Sequence, residues 1–181
     1  LTIFLFFLNT MKHQLALILG FLITGSCYSV DVTFNRNVDT GRINRIAIFP
    51  FDMEARSGAS GKLEESFTVE FLRMGCNPVD RGHLNRLLKE QALSQTGIID
   101  SNHALEIGKL AGANAIVIGS GIVETRQRLD VLRKAFIQVI DVETSSVLLA
   151  GTLQTGALLT MEEFAREIGS HLKGNICLQS E

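Results

Sequence analysis

The run Asn114 to Gly119, NAIVIG, constrains this chain more than any other stretch. It is apolar along its centre and gives a strand no face for water, so the fold must cover it on both sides. The sequence around it supplies the cover. Ahead of it, RIAIFPFD (Arg45 to Asp52) is a short apolar run ended by Pro50, a second buried strand. The small-residue loop that follows, MEARSGASG, contains Ser60, expected to cap a helix. In that helix Leu63, Phe67, Phe71 and Met74 recur at three- and four-residue spacing, and Gly75 stands where a left-handed stop belongs. A short strand at Asn77 to Val79 precedes Asp80, whose carboxylate can cap the next helix, with Leu84, Leu87, Leu88 and Ala92 as its buried stripe. Thr96-Gly97 breaks that helix. Asp100 or Ser101 starts another, through Ala104, Leu105, Gly108 and Ala111, whose small residues imply close packing.

Beyond NAIVIG, Gly119 and Gly121 are expected to mark a strand end where backbones approach closely; the GxGxxG spacing of a dinucleotide loop is absent. From Asp130 two long extended runs flank a turn at Glu143 to Ser146, a hairpin. Thr160 with Glu163 makes a capping box for a last helix, whose Phe164, Ile168 and Leu172 face inward and which stops near Gly174. The order β-α-β-α-α-β-β-β-α predicts a single α/β domain, one mixed sheet packed with helices.

The stretch VDRGHLNRLLKEQAL sets an Asp, an Arg and a His close together, a combination found in active sites. Asp80, however, has a helix to cap, and Arg81 and His83 are two apart, a spacing that does not face one way. No nucleophile elbow, paired carboxylates or metal-ligand spacing accompanies His83, Asp80 or Asp100. The expectation is no catalytic residue, no metal and no cofactor. The glycine-rich loop before Lys62 resembles a phosphate loop only superficially, because Leu63 stands where Ser or Thr would hold magnesium. With 17 basic against 19 acidic side chains, no field is strong enough to hold a nucleic-acid backbone. The densest basic neighbourhood, Arg126, Arg128, Arg133 and Lys134, fits a solvated strand and loop.

The beginning of the chain reads as export chemistry. LTIFLFFLNT, residues 1–10, precedes Met11 and is expected to be an upstream-start artefact; were Leu1 the true start, residues 1–23 would be long enough to span a bilayer, interrupted by Asn9, Thr10, Lys12, His13 and Gln14. From Met11, a basic Lys12, an apolar stretch Leu15 to Ile23 and the small residues Thr24, Gly25 and Ser26 lead to Cys27. ITGSC resembles a lipobox, with Thr24 where Leu, Val or Ile is usual. The alternatives are lipidation at Cys27 and ordinary cleavage after Ser26 or Ser29. Residues 1–27 are thus a signal-peptide region and residues 28–44 a polar tether. Cys76 and Cys177 remain, either as a disulfide or as two buried thiols; both readings stay open.

Four stretches carry a family resemblance: RIAIFPFD, VDRGHLNRLLKEQALSQTGIID, EIGKLAGANAIVIGSG and IQVIDVETSSVLLAGTLQTG, together most of Arg45 to Gly156. In order and spacing they resemble the CsgG family, the curli production assembly/transport component, whose periplasmic domain is similar to LpoB and to the TolB N-terminal domain. The resemblance implies a CsgG-like periplasmic domain over residues 45–176. It implies a non-catalytic outer-membrane lipoprotein facing the periplasm, assisting assembly or export through contacts with envelope proteins or copies of itself. Neither nucleic acid nor a small-molecule substrate is implied. The alternative within the resemblance is an LpoB-like or TolB-like regulator that docks on an envelope enzyme without forming a pore. CsgG protomers donate two amphipathic hairpins to a membrane barrel; here GSGIVETRQRLDVLRKA, residues 119–135, is expected to make only a loop or short strands, and the second candidate hairpin runs from Phe136 to Thr155.

Overall fold

The computed structural model describes residues 29–54, 58–91, 100–126 and 129–177. The signal-peptide region, Cys27, Ala92, Thr96 and Gly97 lie outside them. Seven strands form one mixed sheet: β1 (Ser29–Phe34), β2 (Arg45–Ile48), β3 (Asp52–Glu54), β4 (Asn77–Pro78), β5 (Ala115–Arg126), β6 (Leu129–Asp141) and β7 (Val147–Leu159). Their spatial order is β1-β7-β6-β5-β2-β4, with β3 pairing along the far stretch of β5. Helices α1 (Ala59–Arg73) and α4 (Met161–Leu172) pack on one face, α2 (Arg81–Glu90) and α3 (Ser101–Leu110) on the other. The expected fold is therefore present, with two strands added.

The first half of β5 is the apolar run, and it is covered on both sides. Ala115 and Val117 face α1 and α4, while Ile116 faces α2 and α3, and all three are fully buried. On the larger side Phe67 lies fully buried between Phe51, stacked at 5.5 Å, and Phe164, edge-on at 6.0 Å. On the smaller side, Gly108 lets α3 settle onto the sheet: a Cβ there would lie 2.6 Å from the Ile116 Cγ2. The close packing expected of that helix is borne out.

The caps follow the sequence with one exception. Asp80 accepts from the His83 amide at 2.8 Å, Asp100 from the Asn102 and His103 amides, and Gly75 takes φ 84° after α1. Ser60 is not the N-cap of α1; Gly58 is, and Ser60 sits inside the first turn. There its hydroxyl accepts from the Phe51 amide and donates to Glu64, both at 2.8 Å, so it ties the helix to the preceding strand. In the β6–β7 turn the fully buried Asp141 accepts from the Glu143 and Thr144 amides and from Arg42, which also reaches Glu143.

Three expectations about extended chain need correction. Residues 29–34, within the expected tether, form the edge strand β1 paired antiparallel to β7; Val30, Val32 and Phe34 turn inward while Asp31 and Thr33 turn out. Asp52–Glu54, where the RIAIFPFD run is expected to give way to a loop at Met53, re-enters the sheet beside β5 after the break at Pro50. Gly119 is not a strand end, and the stretch from it to Ala135 is not merely a loop or short strands: β5 runs on to Arg126 and pairs with β6 from Leu129 onward. Close approach is nonetheless what Gly119 supplies, since a Cβ there would meet the Phe136 carbonyl oxygen at 2.3 Å and the Phe51 ring at 2.9 Å. Polar pairing extends the β5–β6 hairpin: Glu124 meets Arg126 at 3.0 Å and Arg133 at 3.2 Å, and Thr125 donates to Asp130.

Of the two readings of Cys76 and Cys177, the disulfide is the one present, with Cα atoms 4.9 Å apart across 101 residues. It pins the chain after α4 to the end of α1. A Cys76→Ser/Cys177→Ser variant should lose roughly 2–5 kcal/mol in denaturant unfolding, and reductant should lower the wild-type midpoint by the same amount. Equal midpoints with and without reductant would contradict this.

The capping box at α4 is complete: Glu163 accepts from the Thr160 amide at 2.9 Å, and Thr160 accepts from the Glu163 amide at 3.2 Å. The Thr160 amide and hydroxyl hold the Glu163 carboxyl below its usual range. A depressed folded value means that the contribution is present above the ordinary carboxylate value and is lost as pH falls through the depressed one. Thr160→Ala should therefore cost about 1 kcal/mol near neutral pH and progressively less in acid, read as a narrowing gap between urea midpoints.

Candidate functional site

Helices α2 and α3 cover only part of their face of the sheet. Their cluster takes in Ala47, Ile116 and Ile140, with Ile118 and Val147 at its margin. Further along β5, β6 and β7 the same face is bare. The sequence builds it by alternation: in KAFIQV, Ala135, Ile137 and Val139 point into the buried core, so Lys134, Phe136 and Gln138 point the other way.

Register turns this alternation into two rows across five strands. One runs Asp52, Ser120, Phe136, Thr152, Asp31; the next runs Glu54, Ile122, Lys134, Gln154 and the backbone position of Ser29. Phe136 is 39% exposed and Ile122 36% exposed, side by side in the middle of these rows. The face is hollowed by about 370 Å³. On the opposite, core-facing side of β5 the side chains of Phe51 and Met53 fill the space over Gly119 and Gly121, and the alternation leaves Asp52 and Glu54 of β3 on the open side as its acidic flank. An aromatic ring and an isoleucine thus lie exposed on a bare sheet, bounded by Asp52 and Glu54 on one side with Lys134 within.

A second surface lies on the opposite side of the molecule. Between α1 and α4 runs a groove lined by Lys62, Glu65, Val69, Arg73, Glu162 and Arg166, with Val69 and Leu72 47% and 58% exposed. Lys62 is paired with Asp130, which holds its ammonium above the ordinary lysine range.

The residues that resembled an active site are dispersed. Asp80 is spent on its helix, Arg81 reaches across to Glu64 on α1 at 3.0 Å, and Asp100 pairs with His103 of its own turn. Glu64 is the buried carboxyl of that group; burial pushes its pKa up, against the Ser60 hydroxyl and Arg81. Among the described residues no His, Cys, Asp and Glu group is arranged to hold a metal ion, and no helix is long and apolar enough to cross a membrane, which says nothing of strands. The open face itself was not anticipated. Its signal was the alternation in residues 134–139, which marks an inner side without revealing that the outer one is uncovered.

The family model described as curli production assembly/transport component CsgG matches residues 48–125, so the resemblance holds over β3, α1 to α3 and nearly all of β5. No curated protein matches the chain. Among solved structures, the PelC dodecamer from Paraburkholderia phytofirmans superposes with a TM-score of 0.52 at 18% identity, covering 84% of this chain and 100% of that one. The LpoB C-terminal domain from Escherichia coli gives 0.48 at 16% identity, covering 66% and 85%. Lipoprotein GNA1162 from Neisseria meningitidis gives 0.49 at 11%, covering 71% and 94%. The chain is thus similar to the CsgG family over residues 48–125 and shares the fold of PelC.

If the open face is for docking, its apolar residues contribute little to folding. Phe136→Ser should cost about 1 kcal/mol or less, whereas Ile137→Ala, one residue along and fully buried, should cost about 2–5 kcal/mol. Equal losses in denaturant titrations would place Phe136 in the core and remove the site.

Proposed function

We propose that this chain is an exported, non-catalytic lipoprotein of the CsgG-like class. In this reading it is acylated at Cys27, held at the periplasmic side of the outer membrane, and assists assembly or export through contacts with other proteins and with its own copies. The observation that carries the reading is the bare half-sheet centred on Phe136 and Ile122, an exposed apolar centre bordered by charged side chains. The leader ending at Cys27 supports export and lipidation.

A second copy is the occupant proposed for the open face. The groove between α1 and α4 offers matching chemistry: Val69 for Phe136 and Ile122, with the exposed Leu72 outside the groove on the same helix, Arg73 and Arg166 for Asp52 and Glu54, and Glu65 for Lys134. A contact between two different surfaces of one chain is head-to-tail, and such contacts close into rings when the rotation allows. The dodecameric state of PelC, which shares the fold, supports this mode. The second reading, a docking regulator that forms no pore, is favoured by the Glu124, Arg126 and Arg133 cluster, which interrupts the apolar alternation that a barrel hairpin needs.

Two variants test the reading. Cys27→Ala should move the protein from the membrane to the soluble fraction; unchanged fractionation counts against lipidation. Phe136→Asp should leave thermal stability near wild type and reduce the detergent-solubilised assembly to single chains. A wild-type protein that is already monomeric points to the docking regulator instead.

A further inference from the structure

Lipidation at Cys27, where that reading holds, also fixes which end of the domain meets the bilayer. Only Tyr28 separates Cys27 from β1, so the stretch expected to be a long tether supplies almost no slack. Two extended residues reach about 7 Å. The backbone of Ser29 lies in the row of Gln154, Lys134 and Ile122. From that row the β5–β6 hairpin continues in the direction from which β1 enters, β6 beginning five residues earlier at Leu129. Five strand residues extend about 17 Å, so even with the irregularities at Ile122/Val123 and Leu132/Lys134 the hairpin overhangs the anchoring point.

We infer that the overhanging end of the β5–β6 hairpin rests in the lipid headgroup layer, with Leu129 dipping into it. An anchor attached so close to the sheet cannot hold this end clear of the surface. Its chemistry fits: Leu129, at 65%, is the most exposed of the large apolar side chains described, with Arg126 directly opposite it on β5 and Arg133 further back on β6, each with an apolar stem and a charged head. Glu124 pairs with Arg133 across the hairpin and with Arg126 along β5. A spanning strand needs about 9–11 residues with an apolar outer face, so this end stays at the interface and does not cross. The opposite end of the sheet, where α3 finishes at the exposed Leu110, points away from the lipid.

The chain contains no tryptophan, which makes the orientation directly measurable. L129W and L110W variants, each produced with the natural leader, are reconstituted into phosphatidylethanolamine–phosphatidylglycerol vesicles with and without brominated acyl chains. The expected result is blue-shifted emission from L129W with several-fold stronger bromine quenching than L110W, both proteins floating with the vesicles. Equal quenching of the two floating proteins would overturn the orientation and leave the anchor intact. Failure of both to float would overturn the Cys27 anchor, and the orientation with it.

Discussion

The structure depends on a change of circumstance halfway along β5. Ala115 to Val117 are apolar on both sides and must be covered twice, which fixes a layered domain with helices above and below. From Gly119 onward that demand relaxes. Phe51 and Met53 fold over the two glycines on one side, and on the other no helix follows. A single strand thus serves as the innermost element of the core and, a few residues later, as the floor of an exposed surface.

That division also keeps the ionisable groups that stand together in the sequence away from the open face. The carboxylates, arginines and histidines that stand together in the sequence are used in holding elements in place: Asp80 and Asp100 cap helices, Arg81 and Glu64 join α2 to α1, and Asp141 closes the β6–β7 turn. What remains exposed and unspent on the open face is an apolar pair between charged flanks. Such a surface gains most by exchanging water for another protein, and the groove between α1 and α4 presents the complementary pattern on the far side of the same chain.

Much of this was legible in the sequence because it is local. Helical spacing of Leu63, Phe67 and Phe71, the capping signals at Asp80, Asp100 and Thr160, and the run at 115–118 each declare themselves within a few residues. The missed strands are those whose identity comes from a partner far away. Asp52–Glu54 is a strand only because β5 extends past Gly119, and Ser29–Phe34 only because β7 offers it an edge, although the inward Val30, Val32 and Phe34 alternate as a strand requires. The assignment of Ser60 failed for a related reason: its hydroxyl is claimed by the Phe51 amide, a tertiary contact that no capping pattern encodes. The open face is of the same kind, since alternation in residues 134–139 shows that two sides differ but not that one lacks a cover.

The central claim is that a lipid-anchored chain meets copies of itself through this uncovered half-sheet. Native mass spectrometry of the protein released in mild detergent from its own membranes, with the intact mass of the single chain read in the same spectrum, tests it most directly. The account predicts a closed assembly of many chains, each beginning at Cys27 and heavier by its acyl groups. Single chains of unmodified mass would contradict it.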